Sequence, residues 1–129
     1  MTAHMPDLPE PIPQIIRALE DKKALDVVVL DLRASGAFTD YFVVGSGRST
    51  RQVQAMVDAI EKRLRSIDAR PTHIEGYANA QWVLMDCFDV IVHIFTHDTR
   101  ELYDLERLWG SATRIEIPTA GEEVRPAGG

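Results

Sequence analysis

Residues 49–67 read STRQVQAMVDAIEKRLRSI, and this stretch decides the fold. Ser49 followed by Gln52 fits a capping box, the pair that closes the first turn of a helix. The apolar side chains that follow recur three and four residues apart, so they form one continuous helical stripe. Its members are Val53, Met56, Val57, Ile60, Leu64 and Ile67. The stretch therefore predicts a long amphipathic helix.

Short β-branched and aromatic stretches on both sides of this helix predict the strands of one sheet. Before the helix, residues 26–32 (DVVVLDL) and a stretch from Asp40 (DYFVVGSG) are typical of strands. After it, residues 72–77 (THIEGY), 81–86 (QWVLMD) and 90–95 (VIVHIF) predict three more. Because the helix separates strands two and three, we expect it to cross over between parallel neighbours, and the last strands to form an antiparallel hairpin.

Two further helices complete the predicted domain. The first begins near Pro13, and the last covers residues 99–109. Along this last helix Tyr103 falls on the polar side with Arg100, Glu106 and Arg107. The opposite arc is apolar and contains Leu102, Leu105, Leu108 and Trp109.

The chain therefore predicts one α/β domain with a mixed five-stranded sheet and flanking helices. The domain covers residues 13–117, after a flexible lead-in of residues 1–12 that contains three prolines. The sequence after Gly110 is rich in proline, glycine and glutamate, so we expect it to add at most a short edge segment, and residues 118–129 predict a flexible tail.

Strand QWVLMD is apolar on both faces, although three helices are too few to cover both faces of five strands. Alternation places Trp82, Leu84 and Asp86 on one face and Val83 and Met85 on the other. A central strand packed on both sides is one interpretation. An exposed strip of Trp82 and Leu84 beside the last helix is the other, and such a strip indicates an interaction site.

Charge and composition argue against a nucleic-acid-binding, a secreted and a membrane-spanning protein. The 129 residues carry a formal charge of -6 at pH 7, which argues against non-specific nucleic-acid binding and favours a basic partner. One cysteine forms no internal disulfide, and no basic segment precedes an apolar run as in a signal peptide. Since no apolar run approaches the ~20 residues of a membrane-spanning helix, we expect a soluble cytoplasmic protein without membrane contact.

The loop from Gly45 to Thr50 is the most enzyme-like feature. It joins a strand to a helix N terminus, where backbone N–H groups can hold a phosphate. It lacks the Lys-Ser/Thr ending of a P-loop, and the third glycine of a dinucleotide fingerprint would fall at Thr50. A nucleotidyltransferase would also need two carboxylates on the adjacent strand, where only Glu75 is present. A nucleotide-binding enzyme that uses this loop is therefore the alternative hypothesis.

The remaining polar residues do not form a catalytic or metal-binding pattern. Asp86 and Asp89 flank a hairpin turn, where acidic residues are ordinary turn formers. His93 and His97 share neither a helix face nor a cysteine-rich frame, and no nucleophile has a base at a fixed spacing. We therefore predict no catalytic residues, no metal site and no cofactor.

Four long motifs resemble the ribosomal silencing factor family, also called Iojap-like proteins. They are FTDYFVVGSGRSTRQVQA, EGYANAQWVLMD, DVIVHIF and RELYDLERLWG, in this order, and the resemblance covers about residues 24–110. It implies a fold similar to nucleotidyltransferases without their catalytic carboxylates, and a protein that is not an enzyme. It also implies binding to ribosomal protein fourteen of the large ribosomal subunit, which sterically blocks subunit joining and represses translation.

The resemblance also implies where the partner binds. The family's binding surface maps onto the WVLMD strand and the YDLE part of the last helix, that is, Trp82, Leu84, Asp86, Tyr103, Asp104 and Glu106. Two residues depart from the family pattern. Phe88 stands where a glycine is common in the hairpin turn and resists the positive φ of a tight turn, and Leu102 stands where an aromatic is common. A homodimer that uses the same apolar strip is a third hypothesis.

Overall fold

The computed structural model describes residues 7–110 and 112–118 as one α/β domain. Its elements are α1 (Ile12–Asp21), β1 (Leu25–Asp31), β2 (Tyr41–Gly47), α2 (Thr50–Ser66), β3 (His73–Glu75), β4 (Trp82–Cys87), β5 (Val90–Thr96), α3 (His97–Tyr103), α4 (Leu105–Leu108) and β6 (Thr113–Ile117). The predicted α/β class, the mixed sheet and the flanking helices are confirmed. Within the described ranges no helix is long and apolar enough to cross a membrane.

The strands form one sheet in the order β3-β4-β5-β2-β1-β6. The β4–β5 hairpin is antiparallel as predicted, and β2 pairs with β5 in parallel. The expectation that α2 connects two neighbouring parallel strands is wrong, because β3, the strand after α2, lies at the sheet edge and is not a neighbour of β2. The parallel neighbour of β2 is β5. His73 and Glu75 on β3 are exposed, as suits an edge strand, whereas all but the last residue of β5 are buried.

The sheet has six strands, so the five-stranded prediction is wrong. Residues 113–117 (TRIEI) pair antiparallel with β1 along five residues, from Val27 opposite Ile117 to Asp31 opposite Thr113. Without this partner, the apolar strand β1 would present unpaired N–H and C=O groups at the sheet edge. The segment alternates, so that Ile117 reaches the core while Glu116 remains exposed.

Helix α2 begins as the sequence predicts. Ser49 Oγ accepts a hydrogen bond from the Gln52 N–H at 3.1 Å. Gln52 Oε1 in turn accepts from the N–H of Arg48 at 2.6 Å, one residue earlier than in the usual capping box. The apolar stripe of α2 packs with α1 on one face of the sheet and forms the main core from Val53 to Leu64. The predicted stripe is wrong at Ile67, which follows the end of the helix and is 42% exposed.

The opposite face of the sheet has much less helical cover. A smaller core there contains Phe42, Val44, Ile91 and Phe95, covered by Leu105 of the four-residue helix α4. The side chains of β4 alternate between half-buried and buried, with Trp82, Leu84 and Asp86 half-buried on this second face. This open face is the surface that the shortage of helices predicted.

A single helix over residues 99–109 is not formed. Asp104 has a positive φ of 49°, which ends α3, and a separate short helix α4 follows. Aspartate tolerates this left-handed conformation better than most residues. Because the break changes the helical phase, Leu102 and Leu108 of the predicted apolar arc are 77% and 76% exposed, while Leu105 is buried.

Parts of the predicted lead-in and tail lie outside the described residues, namely residues 1–6 and 119–129. Near the start of the described range, Leu8 packs against the main core and Ile12 is completely buried at the beginning of α1.

Candidate functional site

Trp82 lies at the start of β4 on the open face. Its indole stacks on Phe95 with ring centroids 5.0 Å apart and meets the ring of Tyr103 at 4.8 Å. Its Nε1 donates a hydrogen bond to Nδ1 of His93 at 3.1 Å. The backbone also packs closely, because Gly76, with a φ of +85°, lies against the Trp82 carbonyl where a Cβ would clash. These contacts fix the indole while part of it faces solvent.

His93 is the hydrogen-bond acceptor for the Trp82 indole. It is 4% exposed, and the ring of Phe42 packs edge-on against it at 4.6 Å. Because the indole can only donate, Nδ1 must be the unprotonated nitrogen and Nε2 carries the hydrogen. Burial lowers the pKa of His93 to about 4, so the ring is neutral near pH 7. In the described ranges its Nε2 has no hydrogen-bond partner.

Tyr103 and Asp104 lie at the bend between α3 and α4. Tyr103 is the last residue of α3 and 53% exposed, with its ring against Trp82. Asp104 is exposed, and its N–H donates to the carbonyl of Arg100 at 2.8 Å. The tyrosine that the helical pattern placed on a polar surface therefore covers an aromatic side chain of the sheet.

Arg100 is buried beneath this bend. Its Nη1 donates to Ser46 Oγ at 2.8 Å and to the carbonyl of Asp26 at 2.6 Å. Its Nε and Nη2 form a fork on the two carboxylate oxygens of Glu106, each at 3.0 Å. Arg100 thus connects both sides of the bend to strands β1 and β2.

Glu106 points into this network and not outward. Its side chain is 16% exposed, and Arg114 of β6 donates to the same carboxylate at 2.7 Å. Partial burial would raise the pKa of Glu106, but the hydrogen bonds and charges of Arg100 and Arg114 outweigh burial and lower it. The carboxylate is therefore ionised and already paired.

Asp86 lies at the far end of β4, where its Oδ1 accepts a hydrogen bond from the N–H of Phe88 at 3.2 Å. Phe88 adopts a φ of +71° and is 74% exposed. The hairpin turn therefore has a positive φ at Phe88, although the sequence made this conformation doubtful. A phenylalanine rarely adopts a positive φ.

Of the six residues expected to bind the partner, Trp82 and Tyr103 are in direct contact, Asp104 follows Tyr103, and Leu84 and Asp86 lie further along the same face of β4. We use the name docking surface for the five residues that the family resemblance expects to bind the partner and that lie on this side, namely Trp82, Leu84, Asp86, Tyr103 and Asp104. The sixth, Glu106, is bonded within the ion-pair network of Arg100 and Arg114.

Two residues of the site were missed from the sequence. For His93, the position within the apolar stretch VIVHIF is the one sequence signal of burial. Arg100 was placed on the exposed side of a continuous helix. The opposite charges of Arg100 and Glu106 on that side were the one available signal for their pairing.

The loop from Gly45 to Thr50 is occupied by the side chain of Gln52. Its Oε1 accepts a hydrogen bond from the N–H of Arg48, a donor that a bound phosphate would need. Its Nε2 donates to the carbonyls of Lys22 and Lys23 at 3.0 and 3.2 Å. Gly47 lies in a tightly packed position, since a Cβ there would lie 2.7 Å from the flexible end of Met56 and 3.3 Å from Val53 Cγ2. These contacts give the loop a structural role.

The other groups considered for chemistry are separate or buried. Across residues 7–110 and 112–118 no three His, Cys, Asp or Glu side chains are grouped so that they could hold a metal ion. Burial, followed by the charge of Asp86, raises the pKa of the Cys87 thiol to about 12. A protonated thiol is a poor nucleophile.

Comparisons with known proteins agree with this architecture. The family model described as "ribosomal silencing factor during starvation" matches residues 5–128. A ribosomal silencing factor of Halalkalibacterium halodurans is 39% identical over 102 residues, which cover 79% of this chain and 87% of that protein. A Bacillus halodurans crystal structure has a TM-score of 0.74 and 36% identity, covering 84% of this chain and 98% of that one.

A longer relative occurs in Mus musculus and is named mitochondrial assembly of ribosomal large subunit protein 1. It is 35% identical over 101 residues, which cover 76% of this chain but 44% of that protein.

Proposed function

Because this chain belongs to the ribosomal silencing factor family, we propose that it binds the large ribosomal subunit and represses translation there. The name of the mouse relative also refers to the large subunit. Following the family resemblance, the partner on that subunit is ribosomal protein fourteen. A protein bound at that position sterically blocks joining of the small subunit.

The contact between Trp82 and Tyr103 is the observation that carries this proposal. Both rings are held by neighbouring side chains, yet both remain partly exposed on a sheet face with little helical cover. Tryptophan and tyrosine are the residues most often found as binding hot spots. A rigid aromatic pair at the surface loses little conformational entropy when a partner covers it.

The charge of the docking surface fits the same partner. Asp104 follows Tyr103 directly, Asp86 lies on the same face of β4 as Trp82 but at the far end of the strand, and the whole chain carries a formal charge of -6. A ribosomal protein must neutralise RNA phosphates, so we expect its surface to be basic. Opposite charges around an apolar centre speed association and fix orientation.

The proposed action is binding and not catalysis. The contacts of Gln52 within the Gly45 to Thr50 loop support this view, because they use a donor that a nucleotide phosphate would require. The similarity of the fold to nucleotidyltransferases remains a prediction from the family resemblance.

Truncation of the two aromatic side chains tests the proposal. Trp82→Ala and Tyr103→Ala should each weaken binding to purified large subunits at least ~30-fold, since loss of a hot-spot aromatic commonly costs at least ~2 kcal/mol. Tyr103→Ala should cost less in folding, because an aromatic pair contributes only about 1 kcal/mol beyond burial. Tyr77→Ala is the matched control, since Tyr77 is 39% exposed and bonds Asp58 of α2.

Thermal melts and binding assays on the same variants separate the interpretations. Well-folded variants that still bind normally would rule out the docking surface. A loss of binding that follows only from unfolding would assign the rings to the core, where truncation costs roughly 3–5 kcal/mol of stability. Ultracentrifugation over a concentration series tests the homodimer hypothesis, in which self-association would compete with subunit binding.

A further inference from the structure

We infer that Arg100 and Glu106 are positioning residues, whose ion pair holds the bend between α3 and α4 and thereby presents Tyr103 and Asp104 to the partner. The inference rests on the proposed function, because it concerns the same docking surface. It gives Glu106 a different role from the direct partner contact that the family resemblance implied.

The bend is held by this pair together with packing contacts, because Leu105 is buried in the smaller core and the ring of Trp109 meets Phe42 at 5.5 Å. Helix α4 contains four residues, about one turn, and so short a helix is not stable by itself. Asp104 at the bend has a φ of +49°, a left-handed conformation that aspartate tolerates but that does not by itself fix the orientation of the two helices. A tertiary contact must therefore hold the two short helices in this orientation.

Arg100 and Glu106 supply that contact from the two sides of the bend. Nε and Nη2 of Arg100 donate to Oε1 and Oε2 of Glu106, each at 3.0 Å. Only the planar guanidinium of arginine provides this bidentate geometry. At the same time Arg100 is anchored to the buried hydroxyl of Ser46 and the carbonyl of Asp26. The bend is thus fixed to the sheet on which Trp82 lies.

The pair differs from an ordinary surface salt bridge in burial and in number of bonds. Arg100 is 8% exposed and Ser46 is completely buried. Exposed ion pairs contribute little, whereas bidentate pairs shielded from water are strong and directional. Loss of one partner leaves the other charge poorly solvated, so the pair resists rearrangement.

The alternative is that Glu106 binds the basic partner directly. Both of its carboxylate oxygens are already bonded, one to Arg100 and the other to Arg100 and Arg114. A rim charge that attracts a partner acts mainly on the association rate and depends on salt. A positioning residue instead changes the dissociation rate, with little dependence on salt.

A double-mutant cycle on purified large subunits tests the inference. We expect Arg100→Lys and Glu106→Gln each to weaken binding about tenfold through faster dissociation at both low and high salt. In a Tyr103→Ala background the same changes should cost only about twofold, because the residue they position is absent. Arg63→Lys is the matched control, since Arg63 bonds Gln14 on the opposite face of the sheet.

Amide hydrogen exchange gives a readout that does not require the ribosome. Exchange at residues 103–106 should accelerate in Arg100→Lys and Glu106→Gln, while α2 keeps its protection. If Arg100→Lys fails to fold, Glu106→Gln, which preserves the side-chain shape, decides the question.

The outcomes separate this inference from the proposed function. Unchanged exchange at the bend, or equal losses of affinity with and without Tyr103, would overturn the positioning role while leaving the docking surface intact. A salt-dependent loss confined to association would assign Glu106 to direct contact. If Tyr103→Ala itself binds normally, the proposed docking surface is wrong and the positioning role falls with it, whatever exchange shows.

Discussion

Acidification should destabilise this protein through His93, whose imidazole is 4% exposed and accepts the indole N–H of Trp82. Burial lowers the pKa of folded His93 to about 4 from the ordinary 6.5, so the unfolded chain binds a proton first as the pH falls. The stabilisation is therefore complete above about pH 6.5 and is lost as the pH falls through about 4. Since each pH unit between the two values corresponds to ~1.4 kcal/mol, the loss amounts to ~3 kcal/mol.

Urea unfolding at several pH values measures this loss. Carboxylates also titrate in acid, so the relevant quantity is the difference between the protein and His93→Gln, which has no imidazole at this position. We expect the unfolding free energy of His93→Gln to be lower near neutral pH but to fall less steeply with acid. His97→Gln, which removes an exposed imidazole, is the matched control. Equal slopes for the protein and His93→Gln would refute the assignment of a buried, neutral His93.

Three further predictions concern the hairpin and the glycine loop. Phe88→Gly should raise the unfolding free energy by about 1 kcal/mol, measured by thermal melting, because glycine accepts the φ of +71° without strain. Gly47→Ala should lower the unfolding free energy by about 1 kcal/mol in urea unfolding, since the end of Met56 must move away from the added Cβ and Val53 is close, whereas Gly45→Ala makes only ordinary contacts and should cost less. Titration with ATP, GTP or CTP and magnesium should leave the tryptophan fluorescence unchanged, and a saturable change would revive the enzyme hypothesis.

Periodicity predicted the parts of the fold that depend on local pattern. The stripe from Val53 to Leu64 predicted α2, and Ser49 predicted its start, because both signals come from residues within a few positions of each other. Alternation in QWVLMD likewise predicted which side chains of β4 share the open face.

The predictions that were wrong concern parts of the fold that depend on contacts between residues far apart in the sequence. Strand β6 pairs with β1, and the sequence after Gly110 indicated at most a short edge segment there, because its pairing partner is far away in the chain. The bend at Asp104 depends on Arg100 reaching Ser46 and Asp26, residues far away in the chain. A helical wheel that assumed one continuous helix therefore assigned Leu102 and Arg100 to the wrong environments.

The candidate site was predicted from the family resemblance more than from the residues. Pattern alone indicated an apolar strip at Trp82 and Leu84, and an unusual tyrosine at position 103. Pattern did not show that Trp82 and Tyr103 are in contact. They are far apart in sequence and are brought together by the pairing of β4 with β5, the strand that precedes α3. The support of Trp82 by His93 likewise required the pairing of β4 with β5.

Sedimentation of cell lysate on a sucrose gradient tests the central claim most directly. We expect the protein to travel with free large subunits and to be absent from joined ribosomes, and we expect Tyr103→Ala, although folded, to remain at the top of the gradient. The presence of the protein on joined ribosomes, or unchanged sedimentation of Tyr103→Ala with large subunits, would contradict the proposed function.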